Sequence, residues 1–84
     1  MKYKLIIEKL KSERIKQGFT QKEIAKKALI TNKHLCNIER FKASPSFEVI
    51  VRIAEALDCE VDVQNEEWFQ LQEGERLNER VNTH

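Results

Sequence analysis

The stretch "FTQKEIAKKALITNKHLCNIE", residues 19–39, constrains the fold more than any other part of the chain. Thr20 with Glu23 three residues on is a capping box, in which each side chain satisfies the other's backbone N–H. Phe19 before the cap and Ile24 after it stand at hydrophobic-staple spacing. A helix therefore starts at Gln21, and it runs only to about Ala28. The logic then repeats. Thr31 is a second N-cap, Ile30 and Leu35 are again at staple spacing, and Leu35 and Ile38 lie one turn apart on a core-facing side. Two short helices separated by about three residues, Leu29 to Thr31, leave little freedom in how they cross.

Such a pair, crossing steeply, is a helix-turn-helix unit. The flanking sequence supplies the elements that would bury it. Lys4 to Gln17 has apolar residues Ile6, Ile7, Leu10 and Ile15 at loose helical spacing, and Gly18 terminates that helix because glycine takes the left-handed conformation without steric cost. After the polar loop "RFKASP", Ser46 caps a helix whose broad apolar face holds Phe47, Ile50, Val51, Ile53, Ala54 and Leu57. "CEVDVQ" then alternates polar and apolar residues, with Val61 and Val63 on one side, which is strand periodicity. A lone strand cannot satisfy its own backbone. With no second strand evident, the simplest partner is the same strand of another copy. The tail is expected to start a helix at Asn65, with Glu66 and Glu67 in its first turn, Trp68 and Leu71 on one face, and Gly74 weakening its continuation.

With 84 residues the default is one compact core, and a thin one. Charge divides the chain: residues 1–52 carry 13 Lys+Arg against 5 Asp+Glu, a net of +8, and residues 53–84 carry 2 against 9, a net of −7. The basic part is the electrostatic footprint expected for a polyanion partner. The acidic end points to a different face. Two organisational units follow: 1–58, the basic helical part, and 59–84, an acidic extension. The two cysteines, Cys36 and Cys59, are too few for a disulfide framework, and no apolar run is long enough to span a membrane or to form a signal peptide. A reducing cytoplasm with both thiols free is the expectation.

"TNKHLCNIER", residues 31–40, collects residue types that serve metal, catalytic or base-reading sites. His34 and Cys36 are two apart and point in different directions on a helix, and no close Cys or His pair completes a tetrahedral set. No metal and no cofactor is expected. A Cys nucleophile would need a positioned His and an oxyanion hole, and nothing beyond the residue types points there, so the chain is read as a non-enzyme.

At these residues the sequence resembles the helix-turn-helix of phage Cro and lambda-type repressors, the xenobiotic-response-element (XRE) family. The resemblance runs from about Leu5 to Leu57. It rests on Gln21 opening the second helix, Ala25 at the close approach of helices two and three, and apolar Ile24, Ala28, Ile30, Leu35 and Ile38. "IER" at 38–40 and "SPSFEVIVRIAEAL" at 44–57 also fit. It implies an all-α, lambda-repressor-like bundle of four to five helices followed by a short C-terminal strand and/or helix. Two positions depart from the pattern: the family usually has Gly where Leu29 and Phe41 stand. A left-handed non-glycine residue costs about 1–2 kcal/mol, so either these turns adopt another geometry or the cost is absorbed.

What the resemblance implies for function is DNA reading. Thr31, Asn32, Lys33 and Asn37 occupy the positions that read bases in similar proteins. Asn can bond adenine bidentately, Lys suits guanine acceptors, and a Thr methyl can contact thymine. Gln21 is a phosphate contact helped by the helix N-terminus. Lys22, Arg40, Lys42 and Lys16 are further phosphate candidates, against the plainer reading of each as ordinary surface charge. Arg14 and Glu39 often pair in the family between helix one and the end of helix three, a structural role. A homodimeric repressor of a near-palindromic site is the leading expectation, with double-stranded DNA as partner and Val61, Val63, Trp68 and Leu71 as interface anchors; Trp68 and Leu71 can equally cover the monomer's own core. Two alternatives stand beside it: the antitoxin of a toxin–antitoxin pair, which also represses its own operon and binds a protein toxin, and the controller protein of a restriction–modification system.

Overall fold

The computed structural model describes residues 3–62 and 67–70. Four helices come first: α1 (Lys4–Gln17), α2 (Gln21–Lys27), α3 (Asn32–Glu39) and α4 (Phe47–Ala56). Strands β1 (Cys59–Asp62) and β2 (Glu67–Gln70) follow.

The helix boundaries are set by their caps. Gly18 ends α1 in the left-handed conformation at φ 82°, its N–H bonded to the carbonyls of Arg14 and Ile15. Thr20 and Glu23 form the complete capping box: Glu23 N donates to Thr20 Oγ1 at 3.1 Å, and Thr20 N donates to Glu23 Oε1 at 2.9 Å. This bonding, with Lys27 nearby, holds the Glu23 carboxyl below its ordinary range. Thr31 and Ser46 cap α3 and α4, accepting from His34 N and Val49 N. Each cap satisfies a donor that the helix itself leaves without a partner.

The apolar stripes of the four helices meet in one core. Ile6, Ile24, Leu35, Ile38, Ile50 and Leu57 are its largest fully buried side chains, and Cys59 extends it into β1. Burial pushes the Cys59 thiol up to about 12, with Glu13 and Asp58 adding like-charge opposition to the thiolate. Phe19, Ile30 and Val61 pack partly against the same cluster. Three residues expected on apolar faces are not in it: Ile15 is 59% exposed, Phe47 is 56% exposed, and Val51 is half-buried outside the cluster, with Val49 buried in its stead. Ile15 and Phe47 lie near helix ends, where the stripe turns off the core. A second tie binds α1 to the end of α4. Gln17 Nε2 donates to Glu13 Oε2 at 2.7 Å and to the carbonyl of Leu57 at 2.8 Å, which satisfies a terminal carbonyl of α4.

The C-terminal end corrects two expectations. The chain does contain a second strand: β2 pairs antiparallel with β1, in register from Cys59 opposite Gln70 to Asp62 opposite Glu67. The partner of β1 is thus the same chain, not another copy. The helix expected from Asn65 is absent where it can be checked, since residues 67–70 are strand; 65–66 and the stretch beyond Gln70 lie outside the described residues. Trp68 and Leu71 suggested a helical face, but Trp68 and Phe69 are also strongly strand-favouring. The unpaired backbone of β1 decides between the two, because its N–H and C=O groups need a ladder.

Both non-glycine turns take the strained geometry. Leu29 and Phe41 have φ of 61° each, in the left-handed region. The Phe41 ring is covered by Lys4, whose Nζ lies 5.2 Å from the ring centroid. Leu29 is 76% exposed, so little packing offsets its conformation.

Candidate nucleic-acid interface

The turn between α2 and α3 is held by Ala28 N donating to Ile24 O at 2.8 Å and Ile30 N to Ala25 O at 3.0 Å. These bonds and the buried Ala25 let the two helices approach closely. Leu35 and Ile38 then lock α3 into the core. The opposite side of α3 carries Asn32, Lys33, Cys36, Asn37 and Arg40, at spacings that make one stripe along the helix. Asn32, Lys33 and Arg40 are exposed, and Cys36 and Asn37 are half-buried. Thr31 is exposed at the head of the stripe. Its hydroxyl oxygen is committed to the cap at 3.0 Å from His34 N, which leaves its methyl group and its O–H for an outside partner.

At the other end of α3 the chain builds a buried polar cluster. Arg14 Nε donates to Glu39 Oε2 at 2.8 Å and Arg14 Nη2 to Glu39 Oε1 at 2.9 Å, a two-pronged pair. The side chains are 11% and 5% exposed. The third prong, Arg14 Nη1, donates to the carbonyl of Phe19 at 2.7 Å. A carboxylate in the last turn of a helix opposes the helix dipole, and Arg14 offsets that cost. Gln21 joins the cluster: its Nε2 donates to Glu39 Oε1 at 2.9 Å. Spacing along the chain gave no sign of this contact, because Gln21 and Glu39 are 18 residues apart and meet only in the folded state.

The Gln21–Glu39 bond fixes how the candidate phosphate ligands are grouped. It brings the start of α2 to the end of α3. Lys22 follows Gln21 along the chain, and Arg40, the C-cap of α3, follows Glu39, with Lys42 in the loop after it. Lys42 N donates to Asn37 O at 2.8 Å, which turns that loop back along α3. Lys22, Arg40 and Lys42 are exposed, and so is Lys16 in the last turn of α1. Lys27, which sequence reasoning left aside, is turned onto Phe19, its Nζ 4.5 Å from the ring centroid.

Of the residues expected to anchor an interface, fewer are described. Val61 is half-buried on the core and stands opposite Trp68 in the hairpin. Val63 and Leu71 lie outside the described residues. Among the described residues no group of three or more His, Cys, Asp or Glu side chains could hold a metal ion. Among the described residues no helix is long and apolar enough to cross a membrane. Among the described residues, one surface hollow lies beside α1 and Phe41 and another between α4 and β1.

Residues 10–64, well over half of the chain, match the helix-turn-helix family HTH_3. No curated protein and no solved structure matches the chain.

Proposed function

The chain belongs to this XRE-type helix-turn-helix family of DNA-binding transcription regulators, and from that premise we propose that it is a sequence-specific, homodimeric repressor that reads its operator through α3. One observation carries the reading: the outward stripe of α3 has base-type ligands at its head and a cationic corner at its foot. Thr31, Asn32 and Lys33 stand at the N-terminal end, the end that meets base edges in this motif. Asn37 lies further along the same stripe. Gln21, Lys22, Arg40 and Lys42 stand at the other end. At 1.5 Å of rise per residue the two ends of α3 are roughly 10 Å apart, comparable to the width of a major groove, about 12 Å. A helix seated in the groove by its head therefore brings its foot to the sugar–phosphate wall. Lys16 extends the cationic rim onto α1.

The roles divide by chemistry. Asn32 offers a paired donor and acceptor for adenine, Lys33 donors for the guanine edge, and Thr31 a methyl for thymine. The cations set register and affinity without reading sequence. One such unit makes few base contacts, so two copies on a near-palindromic site, with their α3 helices about 34 Å apart, supply the specificity. The hairpin end is the side for self-association. Between Ile53 and Asp62 it carries Glu55, Asp58, Glu60 and Asp62 and no Lys or Arg, so it is kept away from phosphate, and Val61, Val63, Trp68 and Leu71 are its apolar anchors.

The test is a titration against the DNA upstream of the chain's own gene, with scrambled DNA as control, across a salt series. The reading predicts saturation at two protomers per site and a slope of log affinity on log salt of about −0.9 per phosphate contact. Val61→Glu should halve the stoichiometry or abolish tight binding while the helices still form. Equal, weak binding to both DNAs would reject a specific regulator, and tight binding of one protomer would reject the dimer.

A further inference from the structure

We propose that Glu39 is a positioning residue for DNA binding: through its bond to Gln21 it orients the one neutral phosphate ligand of the interface before DNA arrives. The proposal rests on the DNA-binding reading above and adds a role to the Arg14–Glu39 pair that goes beyond holding α1 to α3.

The argument starts from what can face a carboxylate. Glu39 accepts three hydrogen bonds, two from the Arg14 guanidinium and one from Gln21 Nε2. An ionised carboxylate has acceptors only. The amide of Gln21 can therefore meet it in one orientation, with the amino group inward; turned over, its carbonyl oxygen would face a negative oxygen. Phosphate oxygens are likewise acceptors only. A Gln amide that swings freely presents its carbonyl to a phosphate as readily as its amino group, and only one of these bonds. Anchored on Glu39, Gln21 keeps a second N–H on the same nitrogen, directed away from the carboxylate. Gln21 is half-buried, and Lys22 and Arg40, the chain neighbours of Gln21 and Glu39, are exposed, so the proposal takes that second N–H as the one offered to a phosphate.

Arg14 makes the device workable. A bare carboxylate near a phosphate would repel it. The two-pronged guanidinium neutralises Glu39 and leaves its hydrogen-bonding direction intact. The pair is thus electrically silent toward DNA while it fixes one amide. Pre-ordering one rotamer-rich side chain is worth a roughly two- to tenfold gain in affinity.

The experiment is a double-mutant cycle on DNA affinity, read by fluorescence anisotropy with a duplex that the wild-type protein selects from a random pool. Arg14→Met with Glu39→Met replaces the pair by apolar side chains of similar length, a change that buried pairs commonly tolerate. Gln21→Met removes the amide. The pair replacement should weaken binding about two- to tenfold when Gln21 is present and have no further effect when position 21 is Met. The salt slope should not change, because one positive and one negative charge leave together. An equal loss in both backgrounds would make the pair merely structural and overturn the proposal. A slope shallower by about 0.9 would mean that Arg14 itself holds a phosphate, and would overturn it too. If the paired replacement does not fold, Gln21→Asn decides the matter: one methylene shorter, it cannot reach Glu39, so it should bind like Gln21→Met. Wild-type affinity for Gln21→Asn would refute the anchoring. If the wild-type protein selects no duplex at all, the DNA-binding reading itself has failed, a result separate from any of these.

Discussion

Glu39→Ala should be among the most damaging single substitutions in the chain. It leaves the Arg14 guanidinium, whose side chain is 11% exposed, with one remaining partner, the Phe19 carbonyl. It also removes the acceptor of Gln21. Breaking a buried pair on one side costs about 3–5 kcal/mol, because the surviving charge stays out of water without compensation. A chain of 84 residues has a total stability of about 4–13 kcal/mol, so the loss takes a large part of it. At an unfolding entropy of about 2.1 cal/mol/K per residue, this length gives about 0.18 kcal/mol per degree, and the midpoint falls by roughly 15–30 °C. Thermal melts followed by far-ultraviolet circular dichroism measure it directly. Arg14→Met with Glu39→Met should recover most of the loss, since neither charge then remains; the Phe19 carbonyl still loses its donor, a cost of about 1 kcal/mol. A single variant that melts within about 5 °C of wild type, or a paired variant as unstable as the single one, would refute the reasoning.

Three further outcomes follow from particular side chains. Leu29 is left-handed and exposed, so Leu29→Gly should be more stable than Leu29→Ala by roughly 0.5–1 kcal/mol, the reverse of the order within a helix; chemical denaturation compares them, and a more stable Ala variant would contradict the strain. Cys59 is buried with its thiol pushed up to about 12, so near pH 8 only about one part in ten thousand is thiolate; a disulfide reagent should label Cys36 and spare Cys59 in the folded chain, and bound DNA should protect Cys36 if α3 enters the groove. The Glu23 carboxyl titrates lower when folded than when unfolded, so its stabilisation is present above the ordinary carboxylate range and is lost as pH falls through the lowered folded value; the melting difference between wild type and Glu23→Gln should shrink over that interval, and a constant difference would count against the capping-box charge.

The four helices were legible because their signals are local. Thr20 with Glu23, Thr31, Ser46 and Gly18 each mark a helix end within one turn, and the positions of Leu35 and Ile38 give the buried side of α3. The outward stripe of α3, proposed above to read bases, is legible as a surface for the same reason: it is what remains of α3 once its core side is assigned. The hairpin was not. Four residues of strand carry little periodicity, and Trp68 fits a helix or a strand until β1 supplies the ladder. The Gln21–Glu39 bond is equally invisible, because it joins residues that only the crossing of α2 and α3 brings together. The left-handed Leu29 could be posed as a question from its place in the turn, but its local sequence contains nothing that would force the answer.

The most direct test of the central claim is the affinity of Asn32→Ala with Lys33→Ala for the upstream DNA, measured beside scrambled DNA and beside a thermal melt. Both residues are exposed on α3, so the melt should match wild type. Wild type should prefer its site by about a thousandfold or more, and the double variant should lose that preference and fall to its binding of scrambled DNA. A double variant that folds and keeps full affinity and full preference would contradict the claim that α3 reads the operator.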